Sequence, residues 1–144
     1  MSLSVKFLLL VCAIAVHAKP LSEEERQAMF IDIVTNCKAQ EGASDSDIQE
    51  MANHQPPSTH AGQCLNACTM EAVGIMKDGR LSLEGSIKVG EMTGDAARIK
   101  NVELVSRECE STVGSDRCDT ALQIALCVAK SAAAHGIDPT KELM

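Results

Sequence analysis

Six cysteines carry the chemistry of this chain: Cys37, Cys64, Cys68, Cys109, Cys118 and Cys127, separated by 26, 3, 40, 8 and 8 residues. Thiols at such spacings either cross-link or hold a metal. An even set in a small chain behind an export signal reads as a disulfide framework. Zinc is the competing use, but there are no paired Cys-x-x-Cys units, the histidines are read as standing apart from the cysteine set, and export favours oxidised sulfur; no metal and no cofactor are expected. The even count argues against a single reactive thiol. No Gly-x-Ser-x-Gly, His-Glu-x-x-His or phosphate loop is present, so an enzyme is not expected. Asp45 and Asp47 resemble part of a calcium loop whose glycine and terminal glutamate are misplaced. The His-Asp pair and calcium loop of a secreted phospholipase are missing as well.

The framework matters because little else holds the chain together. There is no Trp, no Tyr and only two Phe in 144 residues. Residues 1–18 read as a secretory signal peptide: Lys6 is the basic start, Phe7 to Val16 the apolar stretch, and Val16-His17-Ala18 the cleavage site. Cys12 falls inside this leader. Residues 19–144 are then expected to be one secreted, extracellular domain. The full chain carries a formal charge of −7, and losing Lys6 makes the remainder more negative. That charge disfavours nucleic acid and anionic membranes as partners. No second apolar run is long enough for membrane insertion.

The elements that position the cysteines are helical nearly throughout. Ser22 and Glu25 form a capping box, Phe30, Ile33, Val34 and Cys37 recur at helical spacing, and Gly42 ends the first helix. A short helix at Asp45–Asn53 stops at Pro56-Pro57. Ser58 or Thr59 caps a third helix, on which Cys64 and Cys68 share a face. Asp78-Gly79 is a turn signal. Ser82 starts a fourth helix weakened by Gly85 and Gly90. Asp95 caps a fifth, and Ser115 or Asp116 a sixth running from Cys118 to about His135. Ile137–Met144 is a short charged tail. No strand alternation is visible.

Six cysteines allow fifteen pairings. Cys118 and Cys127 lie roughly 13.5 Å apart along one helix, beyond the ~7 Å that a disulfide spans. Cys64 and Cys68 project side by side from another helix. Excluding both pairs still leaves ten pairings open.

The gaps, above all the three-residue gap Cys64–Cys68 with the eight-residue gap Cys118–Cys127, resemble those of the insect odorant-binding proteins, the pheromone and general odorant-binding family. The resemblance spans residues 19–144. It implies an all-α fold of six helices around an enclosed apolar cavity, and the pairs Cys37–Cys68, Cys64–Cys118 and Cys109–Cys127. It implies wall positions at Phe30, Ile75, Met76, Ile124 and Val128; Met51, Met70, Val89, Met92 and Val105 are added from helix faces. The expected function is a carrier of small hydrophobic molecules through extracellular fluid. The alternative is a non-sensory interaction factor of the same fold, acting through its surface. With aromatics nearly absent, methionine and aliphatics would line the wall, which suits flexible aliphatic ligands. The expected partners are a small apolar ligand and, indirectly, a membrane receptor; the chain is expected as a monomer or weak homodimer. The tail is too short to fold into the cavity and reads at most as a lid. His54, His60 and His135 read as scattered surface histidines, with pH-dependent release the alternative.

Overall fold

The computed structural model describes residues 19–143; the expected leader lies outside them. The described residues form seven helices: α1 Glu23–Glu41, α2 Asp45–Ala52, α3 His60–Ala72, α4 Leu83–Glu91, α5 Ala96–Cys109, α6 Arg117–Ala134 and α7 Pro139–Glu142.

Local chemistry sets most of the boundaries. Ser22 and Glu25 exchange hydrogen bonds as the expected box, satisfying two of the amide donors that a helix start leaves unpaired. Gly42 closes α1 at φ 65, where a side chain would be strained. Thr59, not Ser58, caps α3, its hydroxyl accepting from the Gly62 amide; Ser58 instead bonds Glu50. Asp116 caps α6 by accepting from the Asp119 amide.

Two elements depart from the sequence reading. Met76–Lys77 and Arg80–Leu81 form a two-residue antiparallel ladder (β1 and β2) around the Asp78-Gly79 turn. Both turn residues have positive φ, 53 and 72, which matches the twist of a tight hairpin. Strands this short show no alternation in sequence. The tail also folds into one helical turn, α7, because Asp138 caps it and Pro139 takes its first position. Buried Ile137 joins Val105 and Ala132, which anchors the tail on α5 and α6.

α3 is the centre of the packing. It lies against α6 most extensively, and against α1 and α2; α4 packs on α5, and α5 on α6. Leu65 and Ala67 of α3 are fully buried. Gly85 lets α4 touch the turn after α3, since a Cβ there would sit 1.7 Å from the Gly74 carbonyl oxygen.

Three disulfides bind these helices: Cys37–Cys68 joins α1 to α3, Cys64–Cys118 joins α3 to α6, and Cys109–Cys127 joins α5 to α6. Bridges closing loops of this size add about 2–4 kcal/mol each. They offset the small apolar payload of a chain that has one phenylalanine among its described residues.

Candidate functional site

The apolar interior is divided into three clusters. The largest gathers Ala67, Met76, Leu81, Cys109, Ala121 and Ile124, with Met70, Ile75, Cys127 and Val128 packed at its edge. It draws on α3, the hairpin, α5 and α6, so it exists only when the tertiary fold is assembled. Apart from its cysteines it is methionine and aliphatic, with no aromatic ring. Met70, Ile75 and Val128 are partly buried, whereas Met76 and Ile124 are fully enclosed.

Five of the ten expected wall residues, Met70, Ile75, Met76, Ile124 and Val128, therefore meet at one place. Val105 sits behind Val128 in the smaller cluster with Ala132 and Ile137. Met51 belongs to the third cluster, against Cys37, Leu65 and Cys68. Val89 and Met92 are half-buried on or beside α4, outside these clusters. Phe30 also stands apart. It is 45% exposed and lines an open groove of about 380 Å³ between α1 and α2, with Ile31, Val34 and Ile48. Its place follows from α1, which turns Val34 and Cys37 to the core and leaves Phe30 and Ile31 outside.

Leu81, which the sequence reading does not single out, belongs to the same cluster. It is 6% exposed, and only the hairpin register, which sets it opposite Met76, carries it inward.

Three charged groups are held by hydrogen bonds of their own. Arg117, at the head of α6, forks to Glu71 at 2.8 Å and Glu41 at 3.0 Å. The Glu71 and Glu41 hydrogen bonds, in that order, push its proton affinity above the usual range. At the other end of α6, Ser131 donates to Glu108 and His135 Nε2 lies 2.8 Å from the same carboxylate. Those contacts, Ser131 first, hold Glu108 below the usual carboxylate range. Asp47, 4% exposed, is likewise held low, first by the Thr59 hydroxyl at 2.5 Å and then by Ser44. Asp45 pairs with Lys38.

His60 is exposed, as the sequence reading expects of a surface histidine, but it does not stand apart from the cysteines. His60 is one turn before Cys64 on α3, and its Nε2 lies 3.6 Å from Cys64 Sγ. The i, i+4 relation on one helix face is the signal that was overlooked. His54 and His135 are both exposed.

What the arrangement offers is an aliphatic, cross-linked interior. Such an interior suits dispersion contact with an apolar molecule. No helix among the described residues is long and apolar enough to cross a membrane.

Comparison with known proteins agrees with this architecture. The PBP/GOBP family model matches residues 20–131. The general odorant-binding protein 28a of Drosophila melanogaster is 35% identical over 127 residues, which is 85% of this chain and 89% of that protein. The solved structure of that odorant-binding protein superposes with a TM-score of 0.70 at 32% identity, covering 81% of this chain and all of the other. The fatty acid binding protein OBP56a from the oral disk of the blowfly Phormia regina superposes with a TM-score of 0.64 at 26% identity, covering 79% and 96%.

Proposed function

The chain belongs to the PBP/GOBP family, a non-enzymatic family of small-ligand carriers, and on that premise we propose that it is a secreted carrier of flexible aliphatic molecules. A fatty acid, long-chain alcohol, ester or terpenoid is taken up without covalent chemistry, ferried through extracellular fluid and released near its receptor.

The observation that carries this reading is the convergence of Met70, Ile75, Met76, Ile124 and Val128 on one apolar cluster. Uptake is driven by burial of apolar surface, at about 25 cal/mol per Å² before association costs. Methionine adapts to varied shapes, so selectivity is broad. The blowfly relative is named for fatty acid binding, which supports an aliphatic ligand class.

A second reading, a surface-acting factor of the same fold, is favoured by one observation: Phe30 and Ile31 are exposed side by side on α1. A displacement assay separates the two. A carrier takes up an apolar fluorescent probe at one per chain and gives it up to a long-chain fatty acid. A surface-acting factor does neither.

A further inference from the structure

The first turn of α3 and the start of α6 bring three metal-ligating side chains to one point. His60 and Cys64 share a face of α3, and Cys118 arrives from the second residue of α6. The ligand atoms of His60, Cys64 and Cys118 all lie within 4.8 Å of one another. His60 Nε2 already stands 3.6 Å from Cys64 Sγ. Zinc bonds of about 2.0–2.1 Å to imidazole and about 2.3 Å to thiolate, set at the tetrahedral angle, give an N···S edge of about 3.6 Å. The imidazole therefore has the ligand spacing before any metal arrives. What withholds the sulfurs is the bond between Cys64 and Cys118.

We propose that opening the Cys64–Cys118 disulfide with a phosphine or dithiol reductant creates a His60-Cys64-Cys118 site for a zinc ion. The inference goes beyond the carrier function and does not depend on it. With a phosphine, the S–S bond breaks, one water gives its oxygen to phosphorus, and its two hydrogens become the two thiol protons. With a dithiol, the two thiol hydrogens move to Cys64 and Cys118 as the reductant closes its own disulfide. Zinc then replaces both thiol protons, which leave to solvent, and takes the lone pair of His60 Nε2. Water completes four-coordination, the arrangement of two cysteines, one histidine and an open position that zinc accepts.

Two features of the surroundings favour this chemistry. The Arg117 guanidinium, 4.0 Å from Cys118 Sγ, places a positive charge beside a departing thiolate. The remaining bridges, Cys37–Cys68 and Cys109–Cys127, stay to hold α1, α3, α5 and α6, while α3 and α6 keep their broad packing. His60 is exposed, which gives the ion an entry path.

The test uses protein secreted from a eukaryotic host with its bridges formed, reduced with limiting phosphine and freed of reductant under argon. Zinc affinity is read by competition with a chromophoric chelator, and shielding of cysteines by alkylation and mass spectrometry. One zinc per chain is expected, with Cys64 and Cys118 shielded from alkylation and helical circular dichroism retained. His60→Ala should weaken binding at least about tenfold, the scale of losing even an outer partner of a zinc site. Cobalt in place of zinc should show thiolate-to-metal charge transfer in the reduced protein and not in the oxidised one. The proposal is overturned if the reduced protein binds no zinc, if zinc shields other cysteines instead, if His60→Ala binds equally well, or if opening this bridge unfolds the helices.

Discussion

The Arg117 guanidinium lies 3.0 Å from the Glu41 carboxylate, joining the first residue of α6 to the last residue of α1 across 76 positions. Its other carboxylate contacts go to Glu71, near the end of α3, at 2.8 and 3.0 Å. One planar cation thus serves three helices close to where Cys64–Cys118 ties two of them. Guanidinium suits this because its fork offers several donors at fixed angles. The Glu41 side chain is only 14% exposed, so its partner is not replaced freely by water. Replacing Arg117 with Met leaves two carboxylates facing each other and should cost about 1–2 kcal/mol in urea unfolding, after allowance for solvent screening. Arg117→Lys should fall between, since a single ammonium lacks the fork. Equal stability of all three proteins would remove the clamp from the account.

Asp47 makes part of the stability depend on pH. Its carboxylate accepts from the Ser44 amide at 2.7 Å, the Ser44 hydroxyl at 2.8 Å and the Thr59 hydroxyl, so it joins the starts of α2 and α3. Its folded pKa is depressed. A depressed carboxyl contributes stability that is full above its unfolded value of about 4 and is lost as pH falls through the folded value. Asp47→Asn should therefore be less stable than the native protein by about 1–2 kcal/mol at pH 7. The gap should close progressively below about pH 4. A gap that stayed constant down to pH 2 would show that the carboxylate charge is not what stabilises the junction.

The two glycines of α4 should answer differently to alanine. On helix propensity alone each replacement gains about 1 kcal/mol. At Gly85 the new Cβ meets backbone, the Gly74 carbonyl, at 1.7 Å, and Gly85→Ala should lose several kcal/mol, on the order of an overpacked core site or more. At Gly90 the nearest atoms, Ile99 Cα and Val102, are 3.5–3.6 Å away, and Gly90→Ala should be neutral or stabilising by up to about 1 kcal/mol. Thermal unfolding of the pair decides it; equal effects would mean that α4 does not press on the turn after α3.

Filling the apolar cluster from its edge should block ligand without touching the groove on α1. Met70 and Val128 are partly buried at that edge. Met70→Trp and Val128→Trp should each weaken probe binding by roughly tenfold or more, a loss of about 1.4 kcal/mol. Ile31→Ser, in the groove beside Phe30, should leave affinity unchanged. The opposite pattern would move the ligand to the α1–α2 groove.

The parts of the molecule legible in sequence were those governed by local chemistry. Ser22 with Glu25, Gly42, Ser82 and Asp95 mark helix ends because each satisfies or permits backbone geometry within a few residues of itself. The bridge partners were not legible in that way. Spacing left ten pairings open, and only the resemblance to a family singled one out. Arg117 with Glu41 and Glu71 was invisible for the same reason: the partners lie 76 and 46 residues away. Leu81 escaped because a two-residue strand has no period to read. Phe30, expected at a wall, lines the α1–α2 groove and not the largest apolar cluster. Which side of a helix faces the core depends on the neighbouring helices, and α1 packs chiefly on α3. His60 beside Cys64 was readable as an i, i+4 pair and was passed over because the cysteines were read as a set.

Uptake of one flexible apolar ligand by the cross-linked aliphatic interior can be read in a single titration. The oxidised protein is titrated with an apolar fluorescent probe, which is then displaced with a long-chain fatty acid and, separately, with a rigid polycyclic aromatic. The account predicts saturation at one probe per chain, complete displacement by the fatty acid and weak displacement by the rigid aromatic, with Val128→Trp abolishing most of the signal. Absence of saturable binding, or binding that survives Val128→Trp and prefers the rigid aromatic, would contradict it.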